Sequence, residues 1–167
     1  MIRRSEAVFV DSGAWIALAL SRDPLHVPAR EQWELLHEAG ARLYTSVPVV
    51  IETFTFLDRN ASRDVALAWQ EAIYKPGTVA ILPCEPRDLE QSWEYFRRTD
   101  LYKLSAVDAT SFAIMKRERI RLAYAFDHYF AVVGFRLVTA RGAAGATAIA
   151  GPGADEPSRL SGSAIIR

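Results

Sequence analysis

Residues 104–130 read L-S-A-V-D-A-T-S-F-A-I-M-K-R-E-R-I-R-L-A-Y-A-F-D-H-Y-F, and the order of chemistry within them decides how the whole chain is read. Ser105 opens a helix, Asp108 falls in its first turn, and the helix ends in a basic cluster. A short apolar strand, Leu122 to Phe126, then delivers Asp127 at its carboxyl end. Both acids therefore stand at element ends, where side chains face a crevice rather than a core. Ser105 and Asp108 also match the spacing of a capping box, so Asp108 has a purely structural reading as well.

The same arrangement recurs upstream. Ala7 to Val10 (A-V-F-V) is a short apolar run, read as a buried strand, and it ends at Asp11-Ser12-Gly13 before a helical A-W-I-A-L-A-L. A carboxylate between strand and helix is also an ordinary N-cap. His26 to Ala39 is helical and stops at Gly40. Arg42 to Thr45 is a second strand, and Ser46 and Pro48 open a helix V-P-V-V-I-E-T-F-T-F-L that is apolar almost all round and should be buried. Glu52 sits in its middle. It either reaches solvent at an edge or points into a site where a cation or proton offsets its burial; the second reading is the one we adopt.

A further helix starts at Asn60 or Ser62 and runs to about Tyr74, and Thr78 to Leu82 is a strand. Pro86 opens a helix to about Arg98, in which Leu89, Trp93 and Phe96 read as a core stripe. Phe135 to Val138 closes the pattern as a short strand. Strands alternating with helices imply an α/β domain with a mostly parallel sheet, whose ligands bind beyond the carboxyl ends of the strands. Residues 1–139 form this domain, and 140–167, rich in Ala, Gly, Ser and Pro, read as a flexible C-terminal tail.

With 167 residues the chain is long enough for one domain with a substantial core. No apolar run approaches a membrane span, the N-terminal stretch lacks the apolar segment of a secretory signal, and Cys84 is the single cysteine. The expectation is a soluble cytoplasmic protein with no membrane partner. Twenty basic and twenty acidic residues cancel, so overall charge selects no partner. Between Arg97 and Arg121, however, seven basic residues face three acidic ones. This excess is either a solvated helix face or a flank that contacts phosphates.

Asp11, Glu52, Asp108 and Asp127 together make the chemical case. Convergent carboxylates repel, and without a cation some stay protonated. Mg²⁺ or Mn²⁺ removes that conflict: both prefer oxygen ligands, lower the pKa of a bound water and stabilise charge on a phosphoryl oxygen. Hydrolysis of a phosphodiester follows naturally. His26, His37 and His128 have no zinc spacing, and no Walker loop, G-x-G-x-x-G or G-x-S-x-G occurs.

The ordered set D-S-G-A-W at Asp11, V-V-I-E-T at Glu52, S-A-V-D-A-T-S-F at Asp108 and F-D-H-Y-F at Asp127 resembles a PIN domain, and within that family the VapC-type toxins of toxin–antitoxin pairs. The resemblance covers about Val8 to Val138. It implies a three-layer α/β/α fold around a mostly parallel sheet of four to five strands. It also implies a metal-dependent, single-strand-specific ribonuclease with an acidic pocket. Asp11 and Asp108 would then be the principal ligands of Mg²⁺ (or Mn²⁺), and Glu52 and Asp127 would complete the catalytic set. Ser12 would position water or phosphate, and Lys103, Lys116 and Arg117 would hold flanking phosphates. A small antitoxin and a second copy of the chain are the partners the resemblance implies.

Three other readings compete. A PIN domain can serve in RNA processing rather than as a toxin. A phosphatase with Asp11 as nucleophile would want a second Asp where Gly13 stands. A non-catalytic module would bind RNA or a partner through a degenerate pocket, against which the presence of all four acids argues.

Overall fold

The computed structural model describes residues 2–139; the segment expected to form a tail, 140–167, lies outside them. Five strands form one sheet: β1 (Ala7–Val10), β2 (Arg42–Ser46), β3 (Ala80–Leu82), β4 (Leu122–Tyr124) and β5 (Arg136–Leu137). Their order is β3-β2-β1-β4-β5 and every pairing is parallel. Val8, Phe9 and Val10 are wholly buried, as an uninterrupted apolar run in a central parallel strand must be.

Right-handed crossovers fix which helices cover which face. The chain moves from β1 to β2 through α1 (Ser12–Ala19) and α2 (His26–Glu38), then on to β3 through α3 (Val47–Asn60) and α4 (Arg63–Ile73). These steps run in one direction along the sheet, so their helices share a face. There Trp15 of α1 meets Trp33 of α2 at 5.5 Å and Trp69 of α4 at 6.1 Å. The return from β3 across to β4, through α5 (Pro86–Phe96) and α6 (Ala106–Arg117), covers the other face, as does α7 (Tyr129–Val132) before β5. On that side Phe112 of α6 lies edge-on to Tyr95 of α5 at 5.2 Å and to Phe130 of α7 at 4.9 Å. The outcome is three layers, α/β/α. The reversal of direction falls between β1 and β4, which opens the crevice where such sheets bind ligands.

Two helices differ from their expected orientation. In α3 only Val49, Thr53 and Leu57, one stripe at four-residue spacing, are fully buried. Val47, Ile51 and Phe56 are exposed, because a helix lying on one sheet face has a single inward stripe however apolar its sequence. In α5 the inversion is complete. Leu89, Trp93 and Phe96, expected in the core, are exposed, and Asp88, Ser92 and Tyr95 are buried instead.

Polar bonds at the helix start account for the rotation of α5. Asp88 accepts from the Glu85 amide at 2.7 Å, closing a capping box, and receives the Arg117 guanidinium at 2.7 Å. Arg117 also pairs with Glu85 at 2.9 Å and donates to the Pro83 carbonyl at 2.9 Å. The C-terminus of α6 is thereby locked onto the N-terminus of α5. Lys116 beside it lies over the Tyr95 ring at 4.9 Å.

This places Lys116 and Arg117 some eight residues, roughly 12 Å, along α6 from Asp108. The Arg117 guanidinium is engaged by the buried Asp88 and the half-exposed Glu85, so of the two Lys116 is the one left able to reach a phosphate. Removing the guanidinium strands Asp88, which is fully buried. Arg117→Ala should therefore cost about 3–5 kcal/mol of stability in chemical denaturation, while the salt dependence of RNA binding stays as in the parent. A lower salt slope with unchanged stability would restore the phosphate-binding role.

Candidate active site

Three element ends and one helix interior meet at the crevice. Asp11 follows β1, Glu52 projects from α3, Asp108 stands in the first turn of α6, and Asp127 follows β4 by three residues. All four line one open cleft of about 320 Å³, together with Ser12, Gly13, Ile16, Phe56 and Ser105. The four acids picked out in the sequence are thus brought together, and Ser12 joins them at the start of α1.

Three of the acids are held by hydrogen bonds within their own local structure. Asp11 is the N-cap of α1, and its Oδ2 accepts the Gly13 amide at 3.2 Å. Its Oδ1 is buried without any hydrogen-bond partner. Asp108 closes a capping box, accepting the Ser105 hydroxyl at 2.7 Å and amide at 3.3 Å while its own amide donates back to Ser105 Oγ at 3.0 Å. Cap and site are therefore not alternatives for these residues. The cap fixes one oxygen and leaves the other aimed at the cleft or unpaired. Asp127 accepts from the Tyr129 amide at 2.8 Å, which anchors the short α7. His128 is exposed and packs its ring on Tyr129.

The electrostatics follow from burial and crowding. Burial, reinforced by the charge of Asp108, pushes the Asp11 carboxyl up to about 7. Asp108 is also raised, first by burial and then by Asp127 and Glu52, against the lowering effect of the Ser105 hydrogen bonds. Among the described residues no cationic side chain lines the cleft. A buried carboxylate oxygen with no donor, among three further acids and no base, is the donor set a hard divalent cation requires. Among the described residues no three such side chains close into a ready cage. The geometry accordingly suits an ion held by one or two carboxylates and otherwise by water, as Mg²⁺ prefers.

Lys103, Thr110 and Ser111 flank the cleft in sequence without lining it. Lys103 sits two residues before Ser105 in a left-handed turn (φ 62°), its ammonium over the Tyr102 ring. Thr110 donates to the Val107 carbonyl at 2.9 Å and Ser111 is buried, so neither hydroxyl of that pair lines the cleft. The sequence reading missed Ile16 and Phe56, the apolar walls. The available signal was the spacing of Phe56 from Glu52, since residues four apart share a helix face.

An α/β sheet with this strand order and a tetrad of acids at its switch point is the architecture of a nuclease-like domain, and the family model described as PIN domain matches residues 8–136. The chain belongs to the PIN domain family. It is 38% identical over 129 residues to the 23S rRNA-specific endonuclease VapC20 of Mycobacterium tuberculosis, across 77% of this chain and 95% of that protein. The crystal structure of M. tuberculosis VapC20, described as a Sarcin-Ricin loop cleaving toxin, is similar with a TM-score of 0.68 at 36% identity, over 77% of this chain and 95% of that one. VapBC2 from Rickettsia felis, solved bound to a DNA fragment from its promoter, shares the fold at a TM-score of 0.59 and 10% identity, over 78% and 96% of the two chains.

The raised Asp11 acid has a measurable consequence. Its folded-state value lies above the ordinary 3.8, so the stability it contributes is fully present below about 4 and is lost as pH rises through about 7. Asp11→Asn keeps the cap but cannot ionise. In chelator the variant should melt several degrees above the parent at pH 8, with the gap closing towards pH 4. Added Mg²⁺ should raise the parent's melting temperature more at pH 8 than at pH 6. Equal melting at pH 8 without metal would show that Asp11 carries no buried charge.

Proposed function

We propose that the chain is a divalent-metal-dependent endoribonuclease that hydrolyses RNA phosphodiester bonds and serves as the toxin of a toxin–antitoxin pair in the cytoplasm. The observation that carries this reading is the unpaired, buried Asp11 Oδ1 in a cleft lined by three more carboxylates. The relative described as a 23S rRNA-specific endonuclease makes ribosomal RNA the first substrate to test.

In this mechanism Asp11 and Asp108 would hold Mg²⁺ or Mn²⁺, their carboxylates restrained by the caps they form on α1 and α6. The chemistry such an ion would supply there is a lowered pKa for a bound water and stabilisation of charge on a phosphoryl oxygen. Glu52 and Asp127 accept hydrogen bonds from water within the cleft and orient it for in-line attack. Ser12 lines the cleft at the N-terminus of α1, where its hydroxyl and the first turn of the helix would face a phosphate. Lys103, beside the rim, adds a cation outside the acidic zone. No side chain serves as nucleophile.

The partners follow the same line. The relatives include complexes described as VapBC, which supports a small antitoxin for this chain. The exposed stripe Leu89, Trp93 and Phe96 on α5 supports self-association as a homodimer, since three large apolar side chains on one face gain by being covered. Trp93→Arg should then convert the dimer to a monomer in light scattering. A monomeric parent would exclude the dimer.

Purified protein should cleave ribosomal RNA with Mg²⁺ or Mn²⁺ and stop in chelator, and Asp108→Asn should lower the rate at least ~100-fold, the scale of losing charge stabilisation at the reacting phosphate. Cleavage that survives both changes would overturn the assignment of the site. RNA binding without cleavage under either ion would favour the non-catalytic reading.

A further inference from the structure

Phe56 is left unexplained by the acid chemistry. It is 39% exposed, although apolar side chains on the inward stripe of the same helix are fully buried. It follows Glu52 by four residues, which puts its ring directly beside that carboxylate on one face of α3. It lines the cleft with all four acids, and Ile16 of α1 lines it too. Among the described residues no other ring or cation packs on it. A lone exposed phenylalanine is ordinary on a protein surface. One that forms an apolar wall of an acidic, phosphate-directed cleft is a different matter, because it does nothing for an ion or a phosphate.

The same helix face continues to Arg59, seven residues and about two turns beyond Glu52. Arg59 is exposed and makes no hydrogen bond or ion pair among the described residues. Its neighbour Asp58 is already paired with Arg63. One face of α3 thus presents an acid, an aromatic ring and an exposed cation in succession over ~10 Å. Those are the three chemistries of a nucleic acid strand: a metal-held phosphate, a base and a further phosphate.

Resting on the ribonuclease reading above, we propose that Phe56 is the platform on which an unpaired base next to the scissile phosphate stacks, with Arg59 gripping the following phosphate. Stacking on an aromatic face accepts any base but requires that the base be free of its own helix. The cleft, at about 320 Å³, takes something on the scale of a single nucleotide. Phe56 therefore selects unpaired over paired RNA, while leaving the choice of sequence to other contacts. It binds substrate and takes no part in proton or metal chemistry.

The test separates binding from hydrolysis. Affinity is measured in chelator, where cleavage is off, for labelled oligouridylate, for the same backbone with abasic residues, and for a duplex of equal length. The parent should prefer oligouridylate over the abasic backbone by ~10-fold, the scale of one stacked base. Phe56→Leu, which keeps an apolar side chain and should melt like the parent, should erase that preference, and Phe56→Trp should retain it. Arg59→Gln should weaken both single strands alike and lower the salt slope by about 0.7, as loss of one phosphate contact predicts. With Mg²⁺ and ribosomal RNA, Phe56→Leu should raise KM more than it lowers kcat.

Phe56→Leu that still prefers oligouridylate over the abasic backbone would overturn the proposal. So would a Phe56→Leu variant that loses antitoxin binding but keeps the base preference, which would assign the ring to the protein partner. If the parent binds with the base preference yet never cleaves, the nuclease reading fails and the stacking role stands. If the parent binds no single strand, the stacking role fails whatever the metal does.

Discussion

The desolvated carboxylate at the end of β1 is the constraint around which this protein is built. Asp11 is 4% exposed, one oxygen tied to the first turn of α1 and the other without a donor. A charge there is costly in the metal-free fold, which is why its acid is held near neutrality by burial and by Asp108. The fold does not relieve that cost with a nearby arginine or lysine. It leaves the cost standing and places three more acids around it, so that a proton or a cation is what would offset the charge.

Such a site needs a frame that does not yield to the repulsion inside it. β1 supplies part of it, hydrogen-bonded on both sides and buried on both faces. The Thr45 hydroxyl donates to the Val10 carbonyl at 2.9 Å and accepts the Trp15 indole N–H at 3.3 Å, tying β2, β1 and α1 together directly behind Asp11. Helix α6 supplies the rest. Ala109 through Met115 are all buried, so the helix that carries Asp108 is clamped along its length. Its far end is locked by Arg117 onto Asp88 and Glu85. The strongest ion pairing thus sits at the end of α6 away from the acids, where it stabilises the helix without neutralising the site.

Legibility in the sequence followed the same division. The strands, the order of helices and the four acids could be read because short apolar runs with an acid at the carboxyl end carry a local signal, and because parallel sheets put their sites there. Facing was less legible. The stripe Leu89, Trp93 and Phe96 has the spacing of a core face, yet the capping box and the Arg117 pair rotate α5 so that Asp88, Ser92 and Tyr95 point inward. Periodicity reveals that a helix has an apolar side; it does not reveal whether that side meets the core or another surface. Arg117 misled for a related reason. Its place in a basic run suggested a phosphate contact, but its partners Glu85 and Asp88 are about thirty residues away in the chain.

Helix α3 shows how one element can meet several demands with little conflict. Its inward stripe, Val49, Thr53 and Leu57, attaches it to the sheet, Val50 and Phe54 add to the core, and the face bearing Phe56 and Arg59 is left exposed. Glu52, Phe56 and Arg59 share that face because helical spacing, not folding, aligns them. Substitutions along that face therefore alter the cleft wall at little cost to the core, whereas changes at Asp11 or Asp108 disturb a helix cap and the acidic lining at once. The acids are bound to the architecture, and the wall beside them is not. A fold that keeps a fixed reaction centre while its substrate preference varies needs that separation, and here it runs between the two caps and the outer face of α3.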